Sequence, residues 1–116
     1  MTATGESGTW VVLPTFDEAD NLPGISEAIL AALPASTLLV VDDASPDGTG
    51  DLADGLAAAN PRIRVLHRPG KQGLGRAYLD GFRVALAGGA TIVVQMDADW
   101  SHDPAALADL VASLLR

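Results

Sequence analysis

The stretch TLLVVDDASPDGTGDLADGLAAA, residues 37–59, decides the fold. Thr37 to Val41 run apolar or β-branched without alternating, the pattern of a strand covered on both faces. SPDGT then reads as a turn, with Asp47 or Thr49 suited to cap a helix over 50–59. A buried strand, a polar turn and a helix in succession form the repeating half of a parallel sheet.

Working outward, the same unit recurs. TWVVLP (9–14) reads as a strand, and Leu22, Ile25, Ile29 and Leu33 fall at helical spacing over 21–33, with Pro23 near the start. RIRVLH (62–67) is a third strand. It precedes a helix over 74–87 that carries Tyr78, Phe82, Ala85 and Leu86. ATIVVQM (90–96) is a fourth strand, and Asp103-Pro104 opens a helix over 104–115 striped by Leu107, Leu110, Val111 and Leu114. Four strands, each followed by a helix and apolar on both faces, predict an α/β domain. Its sheet is open and mostly parallel, with helices on both faces joined by right-handed crossovers. The domain is expected over 9–116, with 1–8 as a disordered tail.

Composition narrows the function. Fifteen acidic residues against seven basic ones give a net charge of −8, which argues against nucleic acid as a partner, because phosphate backbones need clustered Lys and Arg. The chain has no cysteine, so disulfides, thiolate metal sites and cysteine nucleophiles are excluded. MTATGESGT has neither a basic start nor an apolar run, and no stretch reaches the ~20 apolar residues that cross a bilayer. A cytoplasmic location is the expectation.

Open parallel sheets bind ligands beyond the carboxyl ends of their strands, and the polar oddities of this chain all fall there. PTFDEADN follows the first strand, DDASPDGT the second, HRPGKQGLG the third and DADWSHDP the fourth. Asp42 and Asp43 are either turn formers or site residues. Asp97 and Asp99 are harder to explain as turn formers, since Asp103 already supplies the cap. Their two hard oxygen donors suit Mg²⁺ or Mn²⁺, which keep positions open for ligand phosphates. Such an ion would let an acidic protein hold an anion. Gly73 and Gly75 are spaced like the start of a dinucleotide fingerprint, but Tyr78 stands where its third glycine belongs. What remains is a cationic loop (Arg68, Lys71, Arg76) opening onto a helix N-terminus, which suits an anion. Gly48 reads as a turn glycine, His67 and His102 as structural, Tyr78 and Phe82 as core, and Trp100 as either a rim anchor or a stacking surface.

In this order and spacing, PTFDEADNL, VVDDASPDGT, GKQGLGRAY and MDADWSHDP resemble the family 2 glycosyltransferases of the GT-A fold, the polyprenyl-phosphate (dolichol-phosphate) mannose synthases above all. The resemblance covers residues 10 to about 110. It implies that Pro14, Phe16 and Glu18 line the nucleotide site, with Phe16 and Asp17 in place of the usual tyrosine and asparagine. It further implies that Val41 and Asp43 hold the base and ribose beside a supporting Asp42. Asp97, Ala98 and Asp99 match the D-x-D segment that meets the metal and the sugar-nucleotide diphosphate, and Asp99 is assigned the catalytic role. Ser101 stands where some relatives carry a glutamine metal ligand.

The implied reaction transfers mannose from GDP-mannose to a polyprenyl phosphate with inversion, at the cytoplasmic face of a membrane, aided by Mg²⁺ or Mn²⁺. A membrane partner domain or subunit is compatible with it. The synthases continue well beyond this length, so the resemblance implies an incomplete, donor-binding part that binds nucleotide and metal weakly and does not turn over by itself. A UDP-glucose synthase and a non-catalytic nucleotide-sugar-binding module are the alternatives. A receiver domain would need its acidic pair after the first strand, and a dinucleotide oxidoreductase its glycines there.

Overall fold

The computed structural model describes residues 8–70, 73–101 and 103–114. Residues 1–7 of the expected tail, Lys71, His102 and Leu115 lie outside the described residues. Gly8 is already tied down, since its carbonyl accepts the N–H groups of Thr91 (2.8 Å) and Ile92 (3.2 Å).

The elements follow the expected alternation: β1 (Thr9–Thr15), α1 (Leu22–Ala32), β2 (Thr37–Asp42), α2 (Thr49–Ala59), β3 (Ile63–His67), α3 (Leu74–Ala87) and β4 (Ile92–Gln95). A 3₁₀ turn over Pro104–Ala106 then leads into α4 (Leu107–Leu114). Asp103 caps that turn as expected, its side chain accepting the Ala105 N–H at 3.0 Å. The α2 cap differs from expectation. Gly48 takes the N-cap position at φ 87°, and the Asp47 carboxylate accepts the Thr49 N–H at 3.0 Å from just outside the helix.

All strand pairs are parallel, in the order β3-β2-β1-β4. β1 and β2 are central and covered on both faces, as their unbroken apolar runs demand. β3 and β4, expected to be buried alike, lie at the edges of the described sheet and are only partly covered. Edge position explains the exposed Arg64 of β3, whose guanidinium rests 5.4 Å from the centroid of the Trp10 ring.

Successive strand residues point to opposite faces, so β1 and β2 feed two cores. Val11, Leu13, Leu38 and Val40 meet Leu22, Ile25 and Ile29 of α1, Ala53 of α2, and Leu107 and Val111 of α4. On the other face Trp10, Val12, Leu39 and Val41 meet Ala77 and Ala85 of α3. Helix α3 lies close to the sheet because of Gly81, where an added Cβ would stand 2.5 Å from Val12 Cγ1 and 3.2 Å from Val41 Cγ2.

Two alanine substitutions should therefore act with opposite signs. Gly81→Ala forces α3 away from β1 and β2 and is expected to lower stability by about 1–2 kcal/mol, overpacking outweighing the gain in helix propensity. Gly55→Ala on α2, where a Cβ meets nothing, is expected to raise stability by about 1 kcal/mol. Urea midpoints of the two variants check this, and equal shifts would show that the α3 contact is not tight.

Candidate functional site

The chain leaves β1 toward β2 and β3 on one side and returns to place β4 on the other. The loops after β1 and β4 diverge at that point, which in open α/β sheets is where a crevice forms. A cleft of about 310 Å³ lies there. Pro14, Thr15, Phe16 and Glu18 come to it from β1 and its loop, Asp43 from just after β2, Gly73 from the N-cap of α3 and Ala77 from its first turn, and Asp97, Ala98 and Asp99 from the loop after β4.

Seven sequence-predicted residues are thus brought together: Pro14, Phe16, Glu18, Asp43, Asp97, Ala98 and Asp99. Three are not. Val41 is fully buried against α3. Asp42 is 2% exposed and turned beneath the loops, where its carboxylate accepts the Thr15 hydroxyl (2.7 Å), the Ser45 hydroxyl (2.6 Å) and the Ser45 N–H (3.1 Å). Ser101 lies in a separate groove with Met96, Asp103 and Leu107, and its backbone N–H donates to Asp99 Oδ1 at 3.0 Å.

Loop chemistry explains why the rim is fixed. The β1–α1 loop donates three consecutive backbone N–H groups to side chains of the β2–α2 loop and the first residue of α2: Asp17 to Ser45 Oγ (3.0 Å), Glu18 to Thr49 Oγ1 (3.0 Å) and Ala19 to Asp47 Oδ2 (3.1 Å). The Thr49 hydroxyl also donates to Asp47. That bond above all holds the Asp47 carboxyl below its ordinary value; burial opposes it, and the N–H groups of Ala19 and Thr49 add to it. SPDGT is therefore a clamp on the first loop as much as a helix start. Among the described residues the non-glycine positions with positive φ are Asp17, Ala44 and Trp100, one in each of the loops after β1, β2 and β4. Backbone strain of this kind collects where loops must hold a set shape around a site. Trp100 is 47% exposed and its ring lies beside α1, where a Cβ on Gly24 would stand 3.3 Å from it.

The electrostatics are one-sided. Four carboxylates line the cleft (Glu18, Asp43, Asp97 and Asp99) and no Lys or Arg among the described residues does. Arg68, expected in a cationic loop, is 5% exposed and bonds Asp43 Oδ1 at 2.8 Å and Asp80 Oδ2 at 3.0 Å. It neutralises Asp43 from behind. Glu18 accepts from Asn21 Nδ2 at 3.0 Å. Asp97 and Asp99 are the hard oxygen donors at the mouth, and the donor set fits Mg²⁺ or Mn²⁺, which bind through one or two carboxylates plus water and ligand phosphates. Among the described residues no three His, Asp or Glu side chains form a metal cage by themselves.

One residue of the site was read from sequence as core. Tyr78 of α3 packs on Phe82 with ring centroids 6.2 Å apart, yet its hydroxyl donates to Asp97 Oδ1 at 2.6 Å. Burial first, then this bond and the charges of Asp97 and Asp99, push its pKa well above the ordinary tyrosine value, so it stays a donor. His67, read as structural, pairs with Asp54 at 2.8 Å, away from the cleft.

Comparison with known proteins places this geometry. A family model described as "Glycosyl transferase family 2" matches residues 10–116. An undecaprenyl-phosphate mannosyltransferase of Micrococcus luteus is 50% identical over 103 residues, covering 89% of this chain and 42% of that protein. A polyprenol monophosphomannose synthase of Mycolicibacterium smegmatis is 52% identical over 104 residues, covering 89% and 39%. The chain therefore spans about two fifths of the length of these relatives. A mannosyltransferase from Pyrobaculum calidifontis, solved in complex with GDP-Man and Mn²⁺, superposes with a TM-score of 0.75 at 27% identity, over 93% of this chain and 32% of that one. The expected α/β, GT-A-type sheet is the fold observed.

Proposed function

Because this chain belongs to glycosyl transferase family 2, we propose that it is the donor-binding part of an inverting enzyme that transfers mannose from GDP-mannose to a polyprenyl phosphate. The observation that carries the proposal is an acidic cleft at the sheet's crevice whose described lining holds four carboxylates and no cation. A diphosphate entering such a cleft meets repulsion unless a dication accompanies it. Asp97 and Asp99 would hold that Mg²⁺ or Mn²⁺, and when bound it offsets the charge that grows on the departing diphosphate. The relative solved with GDP-Man and Mn²⁺ supports this ligand pair.

The chain's own residues divide the remaining work. Phe16 and Pro14 give the cleft an apolar wall for the nucleotide. Asp43, neutralised by Arg68, offers a carboxylate oxygen to a nucleoside hydroxyl without adding net charge. A lipid phosphate acceptor has its second pKa near ~6 and is mostly ionised at neutral pH, so it attacks without a strong general base. Single displacement on the anomeric carbon inverts it.

The relatives' names carry a lipid-linked phosphate acceptor, which supports a reaction at a membrane surface, proposed here at its cytoplasmic face. Among the described residues no helix is long and apolar enough to cross a membrane. In this reading the acceptor is presented at the membrane surface, with a membrane domain or partner subunit as its carrier.

Thermal unfolding with GDP-mannose, UDP-glucose and NAD, each with and without Mn²⁺, tests the reading. GDP-mannose with Mn²⁺ is expected to stabilise the chain, by about 2.7 kcal/mol at a hundred times its Kd, and neither alone should do so comparably. An equal response to UDP-glucose would contradict the GDP donor. A response to NAD without metal would contradict a nucleotide-sugar site.

A further inference from the structure

We propose that Tyr78 is a positioning residue for the cation-binding carboxylate Asp97. Its hydroxyl fixes Oδ1 and so sets the direction in which Oδ2 is offered to the ion. The inference rests on the reading above that Asp97 and Asp99 hold a dication.

The geometry is specific. Tyr78 does not line the cleft, but it reaches Asp97 from α3 across 19 positions of sequence with a bond of 2.6 Å. Half-buried and packed on Phe82, its ring has little freedom to swing away. Ala77, the preceding residue, is buried against the sheet and anchors that turn of helix. The carboxylate is thus referenced to the sheet-bound helix rather than only to its own loop.

The donor's chemistry matters as much as its place. A lysine or arginine at this point would neutralise Asp97 and compete with an incoming dication. A phenol orients the carboxylate and eases its repulsion with Asp99 while leaving the negative charge in place. Asp99 is treated similarly, its Oδ1 accepting the Ser101 N–H at 3.0 Å. Neutral donors thus set one oxygen of each acid.

The chain contains a single tyrosine, which makes the test direct. Mn²⁺ alone is titrated into the wild-type chain, Tyr78→Phe and Phe82→Leu, with the free ion counted by electron paramagnetic resonance. Tyr78→Phe is expected to weaken Mn²⁺ about 10-fold or more, the usual effect of losing an outer-shell partner. Phe82→Leu loosens the packing of the ring but keeps the hydroxyl, and should weaken Mn²⁺ less than Tyr78→Phe does. In parallel, wild-type chain labelled with 3-fluorotyrosine gives one ¹⁹F signal, expected to shift as Mg²⁺ is added and to stay still in Asp97→Asn.

Undiminished Mn²⁺ affinity in Tyr78→Phe together with a ¹⁹F signal unmoved by Mg²⁺ would overturn the proposal. A wild-type chain that takes up no Mn²⁺ at all would overturn the dication site itself, and this inference with it.

Discussion

Replacing both Asp97 and Asp99 by asparagine is expected to abolish the metal-dependent gain in GDP-mannose affinity and yet leave the free chain as stable as before, or slightly more so. The two effects have one cause. Four carboxylates face a cleft whose described lining holds no cation, so without ligand the acids repel one another, and neutralising two of them should raise stability by about 0.5 kcal/mol. With ligand the same acids are what a dication needs. Their loss is expected to remove about 3 kcal/mol of binding, roughly a hundredfold in Kd. Fold disruption is not the reason, because an asparagine oxygen at 97 can still accept from Tyr78. Calorimetric titration of GDP-mannose with and without Mn²⁺, alongside urea unfolding of both chains, measures the two signs separately. A variant that loses both affinity and stability would show these carboxylates to be structural.

Arg68→Met is expected to produce the largest loss of stability of any single change discussed, about 3–5 kcal/mol. That is a large part of the ~5–15 kcal/mol typical of a small domain. The Arg68 and Asp43 side chains are 4% and 8% exposed and lie 2.8 Å apart. Removing the arginine leaves Asp43 buried and without its charged partner, whereas Asp80, 39% exposed, keeps water and Arg83 at 3.6 Å. The double change Asp43→Asn with Arg68→Met removes the stranded charge and should recover most of the loss. Denaturant midpoints of the two single variants and the double one decide it. Losses that simply add would mean the pair is not coupled. Because Asp43 lines the cleft, Arg68→Met should also weaken the nucleotide even where the chain remains folded.

The sequence made the sheet legible but not its order. Unbroken apolar runs show that β1 and β2 are covered on both faces, and period-2 alternation says which residues share a face. Neither pattern tells which strand lies beside which. Consequently β4 could be read as a strand, though not as the neighbour of β1 that opens the crevice. The acids at strand ends were legible for the same reason that they are odd, since charges abut buried runs there.

What each acid does was less so. Asp42 and Asp43 are adjacent, and successive residues at a strand's end face opposite ways. One carboxylate therefore turns to Thr15 and Ser45 and the other to the cleft. Ser101 is separated from the cleft by Trp100 at φ 65°, a local reversal that spacing does not reveal. Arg68 looked like a free cation because its partners, Asp43 and Asp80, come from other elements. Tyr78 was legible as a core residue, paired at helical spacing with Phe82. Its second contact, with Asp97 after β4, depends on α3 lying close to the sheet, as the packing of Gly81 on Val12 and Val41 lets it do.

The most direct test is anomalous diffraction at the manganese edge from crystals of this chain grown with GDP-mannose and Mn²⁺. The account predicts one manganese peak between the carboxylates of Asp97 and Asp99, with the donor's diphosphate on the ion's far side. Manganese bound elsewhere, or a nucleotide seated in the cleft with both carboxylates turned from it, would contradict the account.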